Sequence, residues 1–159
     1  MKKVLLAGLR ILIGWVFLWA FLDKLFGLGF STVREIAWIF GNSPTQGFLA
    51  NSTYGPFTSL FQNLASSNLV SWLFMLGLLF VGLTMILGVG MRLGATFGSL
   101  LLLLMWISMF PPRTNPFIDS HWFYAFALII SALFDSGKYF GFGDKWAKLK
   151  IVKKYKILR

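Results

Sequence analysis

The sequence contains no cysteine, a single histidine and few charged residues. Without cysteine, the chain can form no disulfide bond, no thiol redox centre and no iron–sulfur site. The lone histidine, His121, excludes a bis-histidine haem within one chain. With only five aspartates and glutamates, we expect no metal site. Phosphate-binding loops, nucleophile elbows and dinucleotide fingerprints are also absent, so no sequence motif assigns a catalytic activity.

Apolar residues dominate what is present: they make up 57% of the 159 residues, whereas charged residues make up 13%. Four apolar stretches approach the roughly 20 residues that a helix needs to cross a bilayer. These predicted spans are residues 4–22, 69–87, 93–110 and 117–134. The second and third show no polar face, which a soluble surface helix would have. We therefore predict an all-α fold, an integral membrane four-helix bundle that occupies residues 1–137.

The net charge of +10 is unevenly distributed along the chain. Basic residues concentrate at the N-terminus, at Arg92 between the second and third spans, and in a tail over residues 138–159. The first and third connections contain only Lys24, Arg34 and Arg113. Positive residues favour the cytoplasmic side of a membrane. The charge therefore predicts a multi-pass protein of the cell membrane with both termini cytoplasmic, rather than a nucleic-acid-binding protein.

The basic tail also contains apolar residues at every third position: Trp146, Leu149, Val152 and Tyr155. A helix would place them on one face, and such an amphipathic segment can lie on an anionic leaflet. A frayed, solvated tail is the alternative, and the sequence leaves both open.

Two short amphipathic helices are predicted in the first connection, which is too long for an idle loop. The first would begin with a capping box formed by Thr32 and Glu35 and would continue to Phe40. The second would begin near Pro56, a residue suited to the first helical turn. Residues 41–55 between them have the composition of a turn. Both helices would lie on the outer face, either in the membrane interface or over the mouth of the bundle.

The third connection reads FPPRTNPFIDSHWF, residues 110–123. Its prolines end the third helix, and Asn115 followed by Pro116 is a suitable cap for the fourth. His121 and Tyr124 are three residues apart, so they share a helical face. We predict a polar pocket here with aromatic walls. Its candidate residues are Arg113, Asp119, His121, Tyr124, Trp106 and Trp122. The alternative is that His121 is only a satisfied interfacial group.

Arg10 lies inside the first apolar stretch, where a charge is costly unless it reaches the surface or a partner. It either extends to the inner membrane surface or faces the bundle and holds an acceptor. Arg92 is interpreted as a cytoplasmic anchor.

Several segments resemble the DoxX/DoxD family of small membrane proteins. The first helix has Arg10, then Gly14, then an aromatic run that ends at Lys24. WLFMLGLLFVGLTMILGVGMRLGA and PPRTNPFIDSHWFYAFALIISAL are also similar to a branch of the family. The resemblance implies a four-helix membrane bundle, with Arg10 and Lys24 as family-motif charges. One group in the family is the membrane subunit of thiosulfate:quinone oxidoreductase.

Three functions follow as hypotheses. The first is a non-catalytic subunit or binding scaffold in the bilayer. The second is a redox-linked subunit with a quinone or small-anion site, in which His121 or Tyr124 donates hydrogen bonds to the quinone carbonyls. The third is a small transporter. Expected partners are lipid and a membrane or redox subunit, and not nucleic acid; a homo-oligomer stays open.

Overall fold

The structure, a computed structural model, describes residues 1–113 and 115–158, and these residues are all-helical apart from their connections. Residue 159 of the predicted tail lies outside this part of the chain. Within it, the α-helices are α1 (Lys2–Phe26), α2 (Gln46–Asn51), α3 (Thr58–Asn63), α4 (Asn68–Leu87), α5 (Met91–Ser108), α6 (Ser120–Leu133), α7 (Gly143–Ala147) and α8 (Lys150–Lys154).

The four main helices are α1, α4, α5 and α6, and each packs against two of the others. Helix α1 contacts α4 and α6, and α5 contacts the same two helices. Their shared interior contains Ile13, Phe17, Met75, Val81 and Leu128, all buried. We call the end where α1 and α5 finish the connection end, and the opposite end the tail end.

Within the described residues, α1, α4 and α5 are each long and apolar enough to cross a membrane. Large apolar side chains remain exposed along them, for example Leu12, Leu73 and Leu103. In water such exposure would be unfavourable, but lipid tails solvate it. The part of the chain that the structure describes therefore has the character of a membrane-embedded protein.

The fourth predicted span, 117–134, differs from α6 at its start, because the helix begins only at Ser120. Asp119 is the N-cap, and its Oδ1 accepts a hydrogen bond from the His121 amide at 3.0 Å. The predicted cap, Asn115, instead accepts hydrogen bonds from the amides of Phe117 and Ile118. This side chain therefore closes a turn ahead of the helix. Asn commonly does so, because its side chain bonds to nearby backbone amides in place of helical hydrogen bonds.

The long connection, residues 27–67, is structured differently from the prediction. Instead of one amphipathic α-helix, residues 34–36 and 38–40 form two separate 3₁₀ turns. Ala37 breaks the helix, since it is extended and fully buried. The predicted capping box at Thr32 does not form, and Val33 precedes the first turn without a side-chain cap. Helix α3 lies where the second amphipathic helix was predicted, whereas α2 falls in the segment assigned to a turn.

The close contact between α1 and α4 depends on glycines. A Cβ atom on Gly82 would lie 2.9 Å from the backbone nitrogen of Leu18. A Cβ atom on Gly14 would lie 2.8 Å from Cβ of Met85. Because small residues let helix backbones approach in a membrane, these two positions bring α1 and α4 together.

Candidate functional site

A cavity of about 770 Å³ lies among the four main helices and beneath the long connection. Helices α1, α4, α5 and α6 all contribute walls, and α2 and α3 contribute from above. Most of the lining is apolar, including Phe17, Phe48, Phe74, Leu102 and Met105. A volume of this size lies within the range of pockets that enclose small organic ligands.

The polar lining of the cavity belongs to the connection end. Lys24 stands two residues before the end of α1, Ser108 is the last residue of α5, and His121 is the second residue of α6. Phe17 lies seven residues, or roughly 10 Å along the helix, below Lys24. The cavity is therefore polar at the connection end, which we call its mouth, and apolar deeper among the helices. This arrangement suits a molecule with a polar head and an apolar body.

His121 is held in a defined orientation at this mouth. Its Nδ1 lies 2.8 Å from Oδ2 of Asp119, while Oδ1 of the same carboxylate accepts a hydrogen bond from the His121 amide. A carboxylate is acceptor-only, so the Nδ1 carries the proton that joins the pair. Nε2 is then the atom left for a ligand: it accepts a hydrogen bond when the ring is neutral and donates one when it is protonated.

Tyr124 lies one helical turn beyond His121 and also lines the cavity. A phenol hydroxyl can donate or accept a hydrogen bond. The i, i+3 spacing of the two residues puts both polar groups on one face of α6. The structure thus brings these two predicted residues to one wall; their part in binding stays a prediction.

Lys24 lines the same cavity from α1. Its Nζ donates a hydrogen bond to Oγ of Ser31 at 3.1 Å, and both residues line the cavity. An ammonium group has three donors, so Lys24 retains hydrogen-bonding capacity for a ligand. The mouth therefore combines a cation, an imidazole and a phenol from two neighbouring helices.

Asp23 fixes the loop beside Lys24, a role that the sequence did not indicate. This buried carboxylate accepts hydrogen bonds from the amides of Phe30 and Ser31, at 3.1 and 3.0 Å, and from the Ser31 hydroxyl at 2.6 Å. Charge-assisted bonds to a buried carboxylate are stronger than neutral ones. Asp23 therefore positions Ser31, and Ser31 in turn contacts Lys24.

Three hydroxyl groups form a second polar cluster, also missed from the sequence. Ser71 Oγ of α4 lies 2.7 Å from Ser43 Oγ and 2.8 Å from Thr45 Oγ1. Ser43 and Thr45 both line the cavity. These bonds attach the long connection to α4, since residues 43–45 and 71 lie on different elements. Isolated hydroxyls in an apolar sequence give no pattern from which such a cluster could be predicted.

The remaining predicted pocket residues lie elsewhere around the joint. Arg113 is exposed, with its guanidinium carbon 4.8 Å from the ring centroid of Tyr54. Trp106 donates its Nε1–H to the carbonyl of Phe117 at 3.0 Å and packs edge-on against Trp122 at 5.4 Å between centroids. None of the three is among the described residues that line the cavity. The contacts of Trp106 hold the joint against α5, and the Arg113 contact holds it against the long connection.

Arg10 lies at the opposite, tail end and faces the helical interior, where it is fully buried. Its Nη1 donates to the carbonyls of Met85 and Ile86 in the last turn of α4. Its Nη2 donates to the carbonyls of Tyr139 and Phe140, at 3.1 and 3.2 Å. The final carbonyls of a helix lack partners within the helix and carry partial negative charge. Arg10 therefore joins three segments of the chain, well away from the cavity.

These features define a helical membrane protein with an amphipathic cavity at one end. The DoxX family model matches residues 5–111, and the chain belongs to this family. No curated protein and no solved structure matches the chain. The matched segment includes Arg10 and Lys24 but ends before Asp119, His121 and Tyr124.

Proposed function

We propose that this DoxX-family protein is a binding scaffold that holds an amphipathic ligand in the cavity among its four main helices. The observation that carries the proposal is the arrangement of the lining, with Lys24, His121 and Tyr124 at the mouth and apolar side chains below. The hydrogen-bonding groups would hold the head of the ligand, and the apolar walls would enclose its body. The protein supplies binding and orientation, and its partner supplies any electron transfer.

The arrangement in the membrane that we propose is a four-helix bundle with both termini cytoplasmic. Helix α6 has 14 residues, but apolar residues flank it, with Phe117 and Ile118 before it and Phe134 after it. It packs along both α5 and α1, which supports the proposal that α6 crosses the membrane beside them. The basic tail end then lies in the cytoplasm and the connection end outside.

Labelling of introduced cysteines tests this topology in a chain that has no cysteine of its own. Exposed positions are available at both ends, at Gln46 in α2 and at Lys154 in α8. A membrane-impermeant reagent applied from outside intact cells should label Gln46→Cys and spare Lys154→Cys. Labelling of both from the same side would overturn the four-span topology.

An isoprenoid quinone is the specific form of ligand that the mouth favours, which gives the second candidate function, a redox-linked subunit. Quinone carbonyls accept hydrogen bonds, and Lys24, Tyr124 and protonated His121 can donate them. A neutral His121, through Nε2, would instead accept a bond from a quinol hydroxyl. The pair of His121 with Asp119 supports recognition of both redox forms by one side chain.

Mass spectrometry of organic extracts tests both functions. The protein is purified gently from membranes, and the same extraction is applied to the variant His121→Ala. Stoichiometric quinone that is depleted in the variant would support the redox-linked role. Another amphipathic ligand, depleted in the same way, would support the scaffold alone. Only bulk phospholipid, in equal amount for both proteins, would contradict a ligand-binding cavity.

A further inference from the structure

We propose that the tail, residues 138–158, is a docking surface for anionic phospholipid headgroups. This surface lies at the tail end and plays no part in the cavity. Its basis is the combination of a fixed position at the membrane boundary, a dense positive charge and exposed apolar side chains between the charges.

The tail is attached where α4 ends and α5 begins. The amide of Phe142 donates to the carbonyl of Leu87, the last residue of α4, at 2.8 Å. Farther along, Nη1 of Arg92, the second residue of α5, donates to the carbonyl of Lys156 at 3.4 Å. Because α4 and α5 have the length and composition of membrane spans, their joined ends lie at one face of the bilayer. The tail is therefore held at headgroup level, whichever face that is.

Within itself the tail is folded rather than frayed. Trp146 Nε1 donates to the carbonyl of Leu158 at 2.6 Å, which brings the end of the segment back to α7. Val152 in α8 is buried. These contacts fix which side chains the surface presents outward.

Lysines form most of that outward surface. Six of them in the tail are exposed: Lys145, Lys148, Lys150, Lys153, Lys154 and Lys156. Asp144 is the only exposed acid among the described tail residues. Juxtamembrane lysines are attracted to an anionic leaflet, each by about fivefold in binding.

Exposed apolar side chains alternate with these lysines. Leu149, Ile151, Tyr155 and Ile157 are each about half exposed, and Phe140 is more so. A segment that only met water or a polyanion would gain nothing from such residues. Side chains that insert between headgroups while neighbouring lysines contact phosphates are the signature of an interfacial segment. A nucleic acid or an acidic protein would satisfy the lysines alone, so the membrane is the partner that both features fit.

Fluorescence of the full-length protein in nanodiscs tests this surface. An environment-sensitive probe on Ile151→Cys would report the tail, and a probe on Ser59→Cys in α3 would control for the opposite end. We expect the Ile151 probe to shift to the blue and to be shielded from an aqueous quencher when phosphatidylglycerol is present. In pure phosphatidylcholine the shielding should be weaker. The Ser59 probe should not distinguish the two lipids.

Charge variants make the test specific. Replacing Lys150 and Lys153 by glutamine should weaken the phosphatidylglycerol-dependent shielding. We expect the ratio of tails bound to lipid to tails exposed to water to fall roughly 30-fold. Replacing the same two lysines by arginine should preserve it. Equal shielding in both lipids, or a glutamine variant that behaves as the native chain, would overturn the proposal. Equal shielding of the Ile151 probe by a short oligonucleotide added to phosphatidylcholine nanodiscs would also overturn it, since any polyanion would then suffice.

Discussion

The carboxylate of Asp119 contacts His121 twice: one oxygen accepts the backbone amide at 3.0 Å and the other lies 2.8 Å from the ring nitrogen Nδ1. One side chain thus begins α6 and orients the imidazole at the cavity mouth. The start of the helix and the geometry of the candidate site are therefore coupled.

Two substitutions at Asp119 separate these roles. Asp119→Asn retains a good cap, so we expect little loss of stability. It removes the carboxylate that accepts the hydrogen bond from Nδ1 of His121, so we expect about tenfold weaker binding of a short-chain quinone. Asp119→Ala removes both the helix cap and the acceptor for His121, and loss of the cap costs about 1 kcal/mol of stability. Thermal unfolding and equilibrium binding measure the two effects. Asp144→Asn, at an exposed position of α7, is the control. Equal quinone binding by the native chain and by Asp119→Asn would show that the pair has only a capping role.

Gly82 and Gly77 offer a matched test of helix packing within α4. A Cβ on Gly82 would press on the Leu18 backbone, whereas a Cβ on Gly77 would meet no atom within 4 Å. Gly82→Ala should therefore lower the free energy of unfolding by about 1–3 kcal/mol, as overpacking does. Gly77→Ala should leave it unchanged or raise it slightly, because alanine favours a helix more than glycine. Chemical unfolding followed by circular dichroism distinguishes them, and similar values for both would refute the close contact of α1 with α4.

Arg10 is expected to be the most sensitive charged position of the tail end. Arg10→Met leaves the carbonyls of Met85, Ile86, Tyr139 and Phe140 without their donor. The bond to the Met85 carbonyl is buried and the other three are partly buried. A buried carbonyl without a donor costs about 1–3 kcal/mol, so with the partly buried ones we expect a loss of about 3 kcal/mol in unfolding free energy. Arg10→Lys should restore only part of it, because an ammonium group lacks the planar fork of donors.

Arg92→Gln is the control for Arg10, since Arg92 is exposed and makes one long hydrogen bond to Lys156. We expect its effect to stay below about 0.5 kcal/mol. If Arg10→Met were no more destabilising than Arg92→Gln, the interpretation of Arg10 as a buried connector would fail.

The features predicted from the sequence are those with a local cause. Long apolar runs predicted the main helices, and the prolines of the third connection predicted the end of α5. The spacing of His121 and Tyr124 predicted that they share one helical face. The position of the α6 cap was missed by four residues, because Asn115 and Asp119 are both good caps and only the backbone path selects between them.

Features with a distant cause were not predictable. The acceptors of Arg10 lie more than 70 residues away in sequence, and no local pattern indicates them. The stripe of Val33, Ile36 and Phe40 favoured an amphipathic helix, but burial of Ala37 in an extended conformation divides that segment. The cluster of Ser71 with Ser43 and Thr45 likewise forms only when the long connection folds onto α4.

Ligand occupancy of the cavity is the central claim, and two adjacent leucines of α5 test it most directly. Leu104 lines the cavity and is 46% exposed, whereas Leu103 is 41% exposed and is not among the described residues that line it. Leu104→Trp should obstruct the cavity, and Leu103→Trp should add the same bulk toward lipid. The measurement is equilibrium binding of a short-chain quinone to each protein in nanodiscs. We expect saturable binding to the native chain and to Leu103→Trp, with at least about tenfold weaker binding to Leu104→Trp. Equal affinity for both variants, or uptake that never saturates, would contradict it.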